Sequence, residues 1–204
     1  MSKAIVLLIA ALFAVSALAQ SDPGLDGIGV YFDPDGASNC ATQPPYTQVT
    51  AYLVATRISA PSGIVGWAAR ILHNPAEIPA GVSYTLLPGG WIPDPGPAYP
   101  DVVVSLPWCL PAAPAVPLLT ISFFHLGGQA LFGVGPAYPF SADPQGPGYA
   151  PCGEPDQLIA LVPSGDVAWP GVPGGYVVAA VNPTGGCPVP VGETSWGAVK
   201  ALYE

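Results

Sequence analysis

Proline and glycine divide this chain into short pieces. There are 28 prolines and 25 glycines in 204 residues, about a quarter of the whole. Short apolar and β-branched runs stand between them, and such punctuation favours turns joining strands over long helices. A proportion this high often marks disorder. Here, however, half of the residues are hydrophobic and only 8% are charged. That is the reverse of the polar, highly charged composition that cannot bury a core.

Nine strand candidates follow from the alternation of apolar and polar residues and the turn residues around them. They are "GIGVYFD" (27–33), "TQVTAYLVATRIS" (47–59), "GIVGWAARILHN" (63–74), "VSYTLL" (82–87), "DVVVSLPW" (101–108), "PLLTISFFHL" (117–126), "QALFGV" (129–134), "QLIALV" (157–162) and "GYVVAAVN" (175–182). The stretches "PGGWIPDPGPAYP" (88–100) and "FSADPQGPGYAP" (140–151) are read as loops, because proline cannot donate to a central ladder. No internal repeat is visible. The expected fold is all-β, an antiparallel two-sheet β-sandwich. One short helix is expected at the end, in "ETSWGAVKALYE" (193–204). Thr194 or Ser195 caps it, and Trp196, Val199, Leu202 and Tyr203 share a face that must dock in cis or on another molecule.

The first 19 residues read as a secretory leader. Lys3 supplies the positive start, Ala4 to Val15 the apolar run and Ala17-Leu18-Ala19 the small-x-small cleavage site. Cleavage after Ala19 leaves 185 of the 204 residues, enough for one domain over 20–190 and a tail over 191–204. No cysteine stands at the cleavage point to carry a lipid. No later apolar run approaches the roughly 18 residues of a membrane span. The expected location is secreted, extracellular or periplasmic. The formal charge is −9, and −10 once Lys3 is lost. Nucleic acid and anionic membrane surfaces are therefore disfavoured as partners. Few charges and many apolar residues suit a chain that assembles or binds something neutral.

An exported chain with four cysteines, Cys40, Cys109, Cys152 and Cys187, is expected to hold two disulfides. The favoured pairing is Cys40–Cys187 with Cys109–Cys152, because chain ends of a domain commonly lie close together. The rival joins Cys152 to Cys187 and Cys40 to Cys109. There is no C-x-x-C pair, and His73 and His125 are not at ligand spacing from any cysteine, so zinc is disfavoured.

The stretch "AYLVATRISAPSGIVGWAARILHN" (51–74) carries Arg57 and Arg70 among apolar residues. Read as a hairpin closed by "SAPSG" (59–63), it opposes Ala55 to Trp67, Leu53 to Ala69 and Ala51 to Ile71 on a core face. Thr56, Val54 and Tyr52 then oppose Gly66, Ala68 and Arg70 on a solvated face. Arg70 would stack on Tyr52, and Arg57 would reach water at the strand end.

The segments "APSGIVGWAARILHNPAEI" and "PLLTISFFHL" resemble parts of cohesin-type sandwiches, over about 75 residues. The resemblance implies an immunoglobulin-like sandwich of the kind used for protein docking or carbohydrate binding, and it transfers no binding residue. The ending "ETSWGAVKALYE" resembles C-terminal segments of uncharacterised exported bacterial proteins, which implies a bacterial origin.

No catalytic residue is assigned. His73 and His125 end apolar strands and read as hydrogen-bonded histidines at the core edge, and no G-x-S-x-G elbow occurs. Asp33 and Asp35 in "DPDG" could ligate calcium, but the string lacks the rest of a calcium-loop signature. The plainer reading is a turn. Trp91, Tyr99, Trp108 and Trp169 stand in or beside loops and are candidate sugar platforms; the plainer reading is that they cover the core. The functional expectation is an exported, non-catalytic β-sandwich for cell-surface structure, adhesion or assembly. The alternative is a carbohydrate-binding module using loop aromatics. Expected partners are a protein or glycan at the cell surface, with self-assembly through the Trp196 tail, and no cofactor.

Overall fold

The computed structural model describes residues 24–74, 78, 82–86, 101–137 and 146–188. The leader, the C-terminal helix, Trp91, Tyr99 and Trp196 lie outside them. The described residues form strands and no helix: β1 (Gly27–Tyr31), β2 (Cys40–Ala41), β3 (Thr47–Thr56), β4 (Ile64–His73), β5 (Ser83–Leu86), β6 (Asp101–Leu110), β7 (Ala115–His125), β8 (Ala130–Gly135), β9 (Gly148–Pro151), β10 (Ile159–Ala160), β11 (Val162–Pro163), β12 (Val167–Ala168) and β13 (Tyr176–Val181). One sheet has five strands in the order β11-β1-β3-β7-β5. The other has eight, in the order β10-β9-β4-β8-β13-β12, with β2 beside β13 and β6 beside β4. Both sheets contribute to one core. Leu53, Ile121 and Phe123 come from the first, and Trp67, Ile71, Phe132 and Val178 from the second.

The all-β, two-sheet expectation holds, with a correction: the sheets are mixed. β1 runs parallel to β11, and β13 parallel to β2, over two residue pairs each. Parallel neighbours need a long connection, and these partners stand far apart in the chain. A second correction concerns "FSADPQGPGYAP", which contains strand β9. Its Gly148 and Tyr149 pair with β10, while the same strand pairs with β4 along its length. Pro147 precedes the strand and Pro151 faces only β4, both outside the doubly paired part, so no central ladder bond is lost. "QLIALV" splits at Leu161, placing β10 and β11 in different sheets.

The third correction is the hairpin of the 51–74 stretch. β3 pairs with β1 and β7, whereas β4 pairs with β6, β8 and β9. The turn between them carries the chain across the sandwich. Alternation assigns each strand a core face but does not choose its neighbour. Both core faces are as expected: Ala51, Leu53 and Ala55 meet Trp67, Ala69 and Ile71 across the core. Gly63 lies in this crossing at φ +93°, where a Cβ would clash with the Leu110 carbonyl oxygen. Only glycine fits a left-handed backbone under another strand's carbonyl.

Arg70 does not stack on Tyr52. Its Nε and Nη2 donate to both carboxylate oxygens of Asp101 at 2.7 and 2.8 Å, across the β4–β6 ladder. The bond to Asp101 raises the guanidinium's pKa above its ordinary value, against the opposing effect of burial. Arg57 is exposed at the end of β3, with φ 49°. Its backbone N–H donates to the Pro114 carbonyl, and its carbonyl accepts from Asp26.

The disulfides join Cys40 to Cys187 and Cys109 to Cys152. The first ties β2 to the chain leaving β13. Buried Asn39 braces the same corner, donating to the Val178 and Pro188 carbonyls. The second links β6 to the residue after β9, the two strands that flank the start of β4.

Tyr84 of β5 opposes Ile121 and packs on the core. Its hydroxyl has no partner among the described residues, and burial raises its ionisation above the ordinary tyrosine range. The fold therefore favours the neutral form. The resulting stabilisation is complete below about pH 10 and is lost as pH rises further. We expect Tyr84→Phe to change stability at pH 7 by less than about 1 kcal/mol, because no bond is broken. Its loss of stability between about pH 9 and 12 should be smaller than that of the wild type. Urea melts across that range check this; an unchanged alkaline slope would contradict it.

Candidate functional site

The "DPDG" motif forms a covering turn. The Asp33 carboxylate accepts the backbone N–H groups of Ala37 at 2.9 Å and Ser38 at 2.6 Å. The turn folds Gly36 over Val54, Thr56 and Ala115 on the outer side of the five-stranded sheet. Val54 and Thr56 are consequently buried although they point away from the core. Both Asp33 oxygens are thus engaged by backbone N–H groups just after the motif. Among the described residues, no group of three or more His, Cys, Asp or Glu side chains is placed to hold a metal ion.

Beyond this turn the outer face of the same sheet is open. Residues opposite each other on neighbouring antiparallel strands share a face, and three rows result. Gln48 opposes Phe124; Thr50 opposes Ser122, which opposes Ser83; Tyr52 opposes Thr120, which opposes Thr85. Gln48, Thr50, Ser83, Thr85 and Phe124 are exposed, and Tyr52, Thr120 and Ser122 are half-buried. The intervening residues Val49, Ala51, Phe123 and Ile121 turn inward. No Asp, Glu, Lys or Arg occurs in β3, β5 or β7, and their one histidine, His125, is fully buried. The result is an uncharged window of hydroxyls, one amide and two rings. Sequence reasoning treated such residues as the solvated side of a sheet and singled out only Tyr52, as a partner for Arg70. The alternation in "TQVTAY" was visible, but the three-strand neighbourhood was not.

The remaining candidates are dispersed. Trp108 is 45% exposed on β6, whereas Trp169 is 7% exposed and lies against Gly133, in a small cluster with Leu72 and Val177. Trp169 is therefore a packing residue in this fold. The Nε2 of His125 lies 2.8 Å from the Gly128 carbonyl oxygen, and its Nδ1 lies 3.4 Å from that of Pro44. The shorter contact assigns the proton to Nε2. His73 is partly buried, which lowers its pKa.

A cleft of about 400 Å³ opens beside the crossing turn, lined by Ser59, Pro61, Ser62, Cys152, Glu154 and Gln157 among others. Next to it, the Tyr149 hydroxyl donates to Asp26 Oδ1 at 2.9 Å and accepts the Ala60 N–H at 3.2 Å. Asp26 Oδ1 also accepts the Ser59 N–H. Burial raises the Tyr149 pKa, bonds from Ser59 and Ala60 oppose that shift, and Asp26 adds to it. This network ties β9 and the residue before β1 to the turn that crosses the sandwich.

No known family matches this chain, and no curated protein is similar to it at a significant level. Solved structures do resemble it. The likeness is to cohesins. One is the sixth cohesin of scaffoldin B from Acetivibrio cellulolyticus, solved in complex with a Cel5 dockerin. It is 12% identical, with a TM-score of 0.47, and the match covers 76% of this chain and 98% of that one. Another is CaCohA2 from Clostridium acetobutylicum, 10% identical with a TM-score of 0.44, covering 66% and 89%. The resemblance is weak and partial, and concerns the β-sandwich.

Proposed function

We propose that this chain is an exported, non-catalytic β-sandwich that serves cell-surface structure, adhesion or assembly. Its contact is the open face of the five-stranded sheet. The observation that carries this reading is the face itself: an uncharged, solvent-facing window in a chain of net charge −9. Its hydroxyls have no histidine or carboxylate beside them on these strands to activate them, as nucleophilic chemistry would require. Two disulfides suit an oxidising compartment. The partner in this reading is a protein or a glycan at the cell surface. Without charge on the contact, recognition depends on shape and short hydrogen bonds rather than on long-range steering.

A second reading, sugar binding through loop aromatics, is favoured by the exposure of Trp108. One experiment separates the two. The oxidised protein is assayed for retention on cell envelopes of the producing organism and for self-association by light scattering. Thr50→Glu combined with Ser122→Glu is expected to weaken one of these by at least about tenfold with little change in melting temperature, and Trp108→Ala to leave both unchanged. Wild-type behaviour of the double variant would overturn the first reading, and loss of retention in Trp108→Ala would support the second.

A further inference from the structure

We infer that the open face of the five-stranded sheet binds a neutral polysaccharide. The inference rests on that face being the contact, and it names the ligand. It also moves the glycan site away from the aromatic loops and onto the sheet.

The groups on the face match those of a polyol. Thr50, Thr85, Thr120 and Ser122 each offer a hydroxyl that donates once and accepts twice, Ser83 donates to the Ser122 carbonyl at 3.5 Å and keeps its acceptor positions, and the Gln48 amide adds donors and an acceptor. Their order follows from the ladders. Strand neighbours lie about 4.8 Å apart, so the row Thr50–Ser122–Ser83 spans about 10 Å. The next row, Tyr52–Thr120–Thr85, runs about 7 Å away along the strands. The repeat suits an extended chain of like units better than a single compact ligand. At one end Phe124 presents an exposed ring directly opposite Gln48. An apolar surface beside an amide suits a sugar ring, which has a C–H face and a hydroxyl rim.

Charge makes the ligand neutral. A chain of net charge −9 repels polyuronates and sulfated glycans, and no Lys or Arg in β3, β5 or β7 could offset that. Arg70, on the other sheet, is committed to Asp101. A protein partner fits less well. Protein interfaces are enriched in aromatic residues, Met and Arg and depleted in Ser at their centres, whereas this centre is Thr50, Thr120 and Ser122. A second copy of the chain would bring the same negative charge.

The test is affinity electrophoresis of the mature, oxidised protein through gels containing a β-glucan, a mannan or a galactan, with polygalacturonate as the anionic control. At least one neutral polymer is expected to retard the protein, and polygalacturonate is not. Phe124→Ala and Thr50→Glu should each reduce the retardation at least about tenfold, and Trp108→Ala should leave it unchanged. Phe124→Leu, which keeps bulk and removes the ring, replaces Phe124→Ala if the latter melts early. No retardation by any neutral polymer, equal retardation by polygalacturonate, or sensitivity to Trp108→Ala alone would each overturn the inference. If the face variants abolish envelope retention while no neutral polymer retards the wild type, the glycan is wrong and the contact face stands. If a neutral polymer retards every face variant like the wild type, the face itself is wrong.

Discussion

Removing the Cys40–Cys187 disulfide, as Cys40→Ala with Cys187→Ala, is expected to destabilise the protein by up to about 5 kcal/mol. The bridge spans 147 residues, so it removes more freedom from the unfolded chain than Cys109–Cys152, which spans 43 and is expected to contribute about 4 kcal/mol. The larger loss corresponds to a fall in melting temperature of about 10–20 °C for a domain of this size. The bridge also has a local role, since it holds β2 and the end of β13 where Asn39 makes its two bonds. Denaturant melts of the two double variants provide the comparison. A loss below about 1 kcal/mol for Cys40→Ala/Cys187→Ala would show that the corner holds without its bridge.

Leu53→Ala is expected to cost about 2–5 kcal/mol, through lost burial and the cavity left behind. Leu53 is fully buried between Val30 of β1 and Leu119 of β7, on strands too constrained to close over the gap. Arg70→Ala is the contrasting change. The ion pair with Asp101 is bidentate, but the two side chains remain 27% and 22% exposed, so solvent screens it and the expected cost is about 1 kcal/mol. Urea melts of both variants test the pair. If Arg70→Ala were the more damaging, the ion pair would outweigh the core contact at Leu53.

The alternation in "TQVTAYLVAT" and "IVGWAARILH" marked the core faces correctly, because the two-residue side-chain period is a property of a single strand. Turn residues likewise located most strands, and composition indicated a core. The limits of that reading lie where a residue's partner is distant in sequence. "SAPSG" looks like a hairpin turn, yet the chain crosses to the other sheet there, with Gly63 lying beneath the carbonyl of Leu110, 47 positions away in sequence. Arg70 had Tyr52 as its nearest sequence-derived neighbour and found Asp101 instead. β9 was hidden by its prolines, whose harmlessness depends on which residues pair on both sides.

The candidate site shows the same division. Each of Thr50, Ser122 and Thr85 is an ordinary polar residue on a strand, with no motif to distinguish it. The sequence by itself determined most of the strands, the core-facing residues, the charge and the even cysteine count, all of which are local or additive properties. Tertiary structure alone decided that β3, β7 and β5 lie side by side, that the Asp33 turn covers only one end of their outer face, and that the uncovered end carries no charge. Neighbours in a sheet are chosen by the packing of the whole core, and a surface assembled from three separated strands exists only once that choice is made.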